Sequence, residues 1–207
     1  MLELIEQGGW VMYPLLITSF ITLTIIFERS YVVLVRTKTI GRESLAQLFE
    51  SIKNGEMDDA KASLDRNANS FGPAFLAILG ESDESHQEKV AGYYGDELLF
   101  GLQRRLSILS AIGNLAPLMG LLGTVLGMIE VFADVSALGL AADASVLASG
   151  IWEALLTTAV GMAIAIPALV VYHYLYRRIA EIAHRLQHDA GALIALLNRR
   201  AKVQGAE

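Results

Sequence analysis

The side chains in this 207-residue chain that can do chemistry are few, and they stand in apolar surroundings. Thr124 lies in the run NLAPLMGLLGTVLGMIEVF, and Glu153, Thr157 and Thr158 lie in GIWEALLTTAVGMAIAIPALVVYHYLYRR. A hydroxyl both donates and accepts, so it can hold water and pass a proton on without bearing charge. Glu153 is the only charged residue between Asp143 and Arg177. An ionisable group in such a run is costly unless it faces a cavity or a partner, which makes it a candidate site residue. Two local alternatives stand beside these readings. Each threonine can bond the carbonyl four residues before it. Glu153 can instead lie at a membrane surface, because the 24 residues to Arg177 exceed one bilayer thickness.

Other chemistries find less support. The chain has no cysteine, which excludes disulfide scaffolds, Cys-ligated zinc, iron–sulfur clusters and thiol catalysis. His184 and His188 sit four residues apart with Glu181 close by, a spacing that can hold a metal on one helix face. The first histidine is not followed by the glutamate of a zincin. The reading is therefore no enzyme, no metal and no other cofactor. His173 is read as a membrane-interface residue. With 16 Lys plus Arg against 22 Asp plus Glu, net −6, the charge argues against nucleic acid as a partner.

The elements that must position these side chains are membrane spans. Hydrophobic residues make up 54% of the chain and charged residues 18%, below the roughly 25% of a typical soluble domain. Trp10–Phe27, Leu106–Ile129 and Ala154–Tyr176 run for 18, 24 and 23 residues without Asp, Glu, Lys or Arg. About 20 apolar residues span a bilayer, so all three qualify. Trp10, Tyr13 and Tyr31 fit aromatic belts at the two ends of the first. That run lacks the basic start and small-residue cleavage site of a signal peptide and reads as a retained anchor.

Orientation follows from the basic residues. Ten of the 16 lie between the first and second runs and six after the third. The positive-inside rule then places the N-terminus outside and both basic segments in the cytoplasm. Thr124 is 19 residues past Arg105, and Thr158 is 19 before Arg177. Both hydroxyls therefore fall about 28 Å from the cytoplasmic end at 1.5 Å per residue. Pro117 and Pro167, 12 and 10 residues from the same references, also match. A one-turn stripe holds Glu153, Thr157 and Gly161, with Thr158 about 140° away from Glu153. Gly120, Gly123, Gly127 and Gly161 allow close helix packing, through the small-xxx-small pairs Ala116/Gly120 and Gly123/Gly127 in the second span. No carboxylate falls mid-membrane, so if ions cross here the central titrating group has to come from another chain.

The segments between and after the spans read as helical. A short helix is expected at Ser44–Lys53, stopped by Asn54-Gly55, and another at Ala74–Leu79 after Pro73. Glu81–Lys89 reads as a solvated turn. From Asp96 the apolar spacing predicts one helix running unbroken into the second span. In the tail, Ile179, Ile182, Leu186, Ala190, Leu193 and Leu197 form a helical seam long enough to suggest burial against partner copies. The fold class is an all-α integral membrane protein: three transmembrane helices, N-out and C-in, with long helical cytoplasmic extensions.

The run Ala116–Ile129, together with Gly150–Gly161 and Ala165-Ile166-Pro167-Ala168, resembles the MotA/TolQ/ExbB proton-channel family. Gly8-Gly9, Tyr13-Pro14-Leu15-Leu16 and Glu28-Arg29 resemble its ExbB branch most. The resemblance implies a bacterial inner-membrane, multi-pass subunit of a homopentamer in the lipid bilayer. Its second and third spans would line a pore around an ExbD/TolR-like single-span partner that supplies the proton-carrying Asp. Proton flow would do work on a TonB-like protein for outer-membrane transport. A TolQ-like role in envelope or cell-division machinery, or a passive scaffold, are the alternatives. The resemblance makes Thr124 and Thr158 pore hydroxyls, with Thr157 competing for the pore-facing position, and Glu153 the carboxylate of the third span. Pro117, Pro167 and the four glycines become its kink and packing residues. The implied layout is 1–9 periplasmic, 10–35 first span, 36–105 helical cytoplasmic loop, 106–133 second span, 134–149 periplasmic connection, 150–176 third span and 177–207 cytoplasmic tail.

Overall fold

Long uninterrupted apolar windows leave the backbone one way to satisfy its polar groups in lipid, as helix. In the computed structural model, which describes residues 9–66, 70–138 and 144–204, there is no strand among the described residues. The helices are α1 (Gly9–Ser30), α2 (Arg42–Asn54), α3 (Met57–Arg66), α4 (Gly72–Gly80), α5 (Glu84–Gln103), α6 (Leu106–Leu138) and α7 (Ala144–Gln204), with a π-helical turn at Tyr31–Arg36 after α1. Three helical stretches are long and apolar enough to cross a membrane. The chain divides into two units, at Arg29/Ser30, Arg104/Arg105 and Tyr174/Leu175.

The first unit holds α1, α6 and the first half of α7. Small residues set its contacts. Leu15 of α1 packs on Ala116 of α6 and on Ile164 and Ala165 of α7. Ile25 packs on Leu109 and Ala168. Polar side chains inside α1 return to their own backbone: Thr18 donates to the Pro14 carbonyl at 2.8 Å and Thr22 to that of Thr18 at 2.7 Å. The end of α1 is tied to the start of α6 by an ion pair of Glu28 with Arg105, and Arg29 lies 3.1 Å from the same carboxylate. Only 22%, 22% and 33% of the most apolar windows are buried. The rest of that surface, including Phe20, Leu118 and Ile166, is compatible only with lipid or another protein chain.

The second unit is built from α2 to α5 and the last part of α7. Leu48 and Ile52 of α2, Ala60 and Leu64 of α3, and Phe75 and Ile78 of α4 are buried in it. The expected short helices form, and Gly55 ends α2 in the left-handed conformation at φ 96° that a helix stop requires. Pro73 occupies the first turn of α4.

Three expectations for these segments change, and one helix is new. The stretch read as a solvated turn at Glu81–Lys89 is helical from Glu84, because Asp83 caps it by accepting the His86 N–H at 3.2 Å. The helix from Asp96 does not continue into the second span: it breaks at Arg104–Arg105, where Arg105 takes φ 69°. Helix α3 is an element the apolar spacing did not reveal, since its only buried positions described are Ala60 and Leu64. The tail seam is not left for partner copies. Ile179, Ile182, Leu186, Ala190 and Leu193 are all buried inside this unit, where Arg200 of the tail donates to the Ile52 carbonyl at 2.9 Å and Arg185 to the Thr39 hydroxyl at 3.2 Å. Burying a Leu or Ile is worth about 1.5–3 kcal/mol, so the seam holds this unit together.

Candidate functional site

Glycine places the second and third spans in backbone contact. A Cβ on Gly120 would lie 2.8 Å from the Thr158 Cα and 3.0 Å from the Thr157 carbonyl oxygen. One on Gly123 would lie 2.7 Å from the Thr157 Cβ, and one on Gly127 3.3 Å from the Ala154 Cβ. From the other side, a Cβ on Gly161 would meet the Ala116 carbonyl. The small-xxx-small pairs of α6 thus face α7 of the same chain, and this antiparallel register is what brings the hydroxyls to α6.

The threonines divide accordingly. Thr158, half-buried, donates across the interface to the Gly120 carbonyl at 3.0 Å. Thr157, fully buried, donates to Ala154 in its own helix at 2.8 Å and reaches the same Gly120 carbonyl at 3.4 Å. Thr124, one turn further along α6, donates to the Leu121 carbonyl at 2.7 Å and borders a shallow apolar groove with Val125, Met128, Ile129 and Phe132. Local bonding therefore accounts for Thr124, three residues back rather than four, and for part of Thr157. It does not account for Thr158.

Glu153 is half-buried and stands apart from the hydroxyl pair. Of the stripe Glu153, Thr157 and Gly161, the last two face α6, whereas Glu153 lies against Gly9 at the start of α1. Pro117 and Pro167 sit inside helices that continue past them, Pro117 half-buried and Pro167 exposed. No carboxylate occurs between Arg105 and Glu130 on α6 or between Glu153 and Arg177 on α7.

The weaker candidates do not assemble. Glu181 pairs with Arg178 at 2.8 Å, His184 and His188 are exposed, and no group of three metal-ligating side chains occurs among the described residues. His173 is exposed, with its ring edge-on to Tyr172 at 5.1 Å. Sequence reasoning missed the Gly120 carbonyl as a shared acceptor, the Glu28–Arg105 pair and the Gly9–Glu153 contact. Only the glycine spacing hinted at the first, and the other two join residues far apart in the chain.

Residues 50–188 match the MotA/TolQ/ExbB proton channel family. The chain is 34% identical over 196 residues to biopolymer transport protein exbB1 of Vibrio cholerae serotype O1, across 90% of this chain and 85% of that protein. It is 31% identical over 206 residues to biopolymer transport protein ExbB of Pseudomonas putida, across 95% and 62%. The corresponding protein of Salmonella typhimurium is 30% identical over 206 residues, across 92% and 81%.

Proposed function

Because this chain belongs to the MotA/TolQ/ExbB proton channel family, as an ExbB-type biopolymer transport protein, we propose that it is the multi-copy subunit of a proton-driven motor. In this reading it is a homopentamer of the bacterial inner membrane, with its N-terminus outside. It surrounds an ExbD-like single-span partner and delivers work to a TonB-type protein. The observation that carries the reading is the α6–α7 pair. Two backbone-close helices bring the Thr157 and Thr158 hydroxyls to the Gly120 carbonyl, with Thr124 one turn further along α6, and carry no carboxylate between Arg105 and Glu130 or between Glu153 and Arg177. Such a pair can hold water and relay protons but cannot store one, so the titrating group belongs to the partner. The largely unburied apolar faces of the spans support assembly with further copies.

The test starts from protein purified gently from its own host's membranes. Native mass spectrometry should find five copies carrying a small single-span protein. In vesicles containing that complex, a trapped pH dye should report proton uptake. Thr124→Val and Thr158→Val should each lower the uptake several-fold at unchanged mass. A monomer or dimer without a partner would overturn the motor reading and leave a scaffold. Loss of the pentamer in both variants would make these threonines packing residues.

A further inference from the structure

We propose that Gly9 is a positioning residue for the Glu153 carboxylate, so that the first span takes part in the pathway through this contact. Two independent constraints meet at this residue. Gly9 has φ +60°, a conformation that residues with a Cβ rarely adopt. A Cβ placed there would also run into Oε1 of Glu153, with the carboxyl carbon at 3.2 Å. The carboxylate thus rests on the one backbone position of α1 that offers no side chain. Neither constraint alone implies the other.

The surroundings explain why the contact holds. Glu153 stands between Gly150 and Ala154, and both lean on α6: a Cβ on Gly150 would strike Val131, and Ala154 packs at Gly127. The turn of α7 that carries Glu153 is therefore fixed, and only its side chain is free to move. Glu130 is the neighbouring carboxylate on α6, and like charges close together repel. The start of α1 has the opposite character, because the first N–H groups of a helix are unpaired within it and draw negative charge. A carboxylate so placed is repelled by Glu130 and rests on Gly9. The first span then sets where Glu153 points, while Thr157, one turn on, keeps its hydroxyl on the Ala154 carbonyl of its own helix. The functional weight of this arrangement rests on the motor reading above; the positioning itself does not.

The experiment uses the full chain in its purified assembly, treated with dicyclohexylcarbodiimide, which adds to protonated carboxyl groups. Mass spectrometry then measures the labelled fraction of Glu153 against the unlabelled form of the same peptide. Gly9→Ala should raise Glu153 labelling several-fold over wild type at unchanged assembly mass. Labelling equal to wild type would overturn the proposal. Should Gly9→Ala fail to assemble, Gly9→Ala/Glu153→Ala decides: recovered assembly supports the contact, and continued failure assigns the defect to the backbone angle and overturns it. An assembly that carries no proton flux would sink the motor reading while the labelling result still stands or falls by itself.

Discussion

A methyl group at position 120 would meet the Thr158 Cα at 2.8 Å, and no rotamer change can move a backbone atom aside. Gly120→Val should therefore force α6 and α7 apart, at a cost of about 1–3 kcal/mol for overpacking. It should lower the thermal midpoint of the detergent-solubilised protein. Gly92 on α5 is the contrast, since nothing lies within 4 Å of the place a Cβ would take. Gly92→Ala should leave that midpoint unchanged or raise it, by up to about 1 kcal/mol of helix preference. Equal effects at the two positions would refute the close packing. The Gly120 carbonyl adds a second constraint. It receives the helical N–H of Thr124 in the regular pattern and faces the hydroxyls of both Thr157 and Thr158, three donors for two lone pairs. Thr157 holds a better bond to Ala154, so its share of Gly120 is the one it can release without leaving a proton unpaired.

At the scale of elements, α5 illustrates how a single capping residue decides where a helix begins. His86, first through its ring and then through its backbone N–H, holds the Asp83 carboxyl below the usual carboxylate range. A carboxyl lowered on folding contributes stability above its unfolded value and loses it as pH falls through the folded one. Asp83→Ala should thus melt below wild type at pH 7, and the gap should close in acid. A gap that stays constant with pH would show the cap acting without its charge. The same residue marks what the sequence makes legible. The three spans, the Gly55 stop, Pro73 and the helical tail were readable because each rests on a window or seam of apolar residues or on a residue with a special backbone preference. The start of α5 was hidden because acidic residues read as solvated, although Asp83 with an N–H donor three residues on is a cap signal. The break before α6 was hidden because neither Gly nor Pro marks it: an arginine adopts φ 69° there, against a preference of about 1–2 kcal/mol, with its guanidinium on Glu28. For the site, the residue types and the glycine spacing were readable, whereas Thr158's partner and the neighbour of Glu153 depend on the register between helices.

For the whole molecule, the absence of cysteine makes orientation directly measurable, since one introduced thiol is the only one in the chain. With all 16 basic residues in the two segments expected inside, Ala137→Cys should react with a membrane-impermeant maleimide in intact spheroplasts. Glu50→Cys should react only after lysis. The reverse pattern would invert the topology. Both positions are exposed, so neither result turns on burial. The division into units also bears on how the protein is made. The second unit joins residues 30–104 to residues 175–204, and its core includes Ile179, Ile182, Leu186 and Leu193. The part of that core before Arg104 is made ahead of α6 and the first half of α7, and the part from Leu175 after them, so the unit closes only once the segments between have been made.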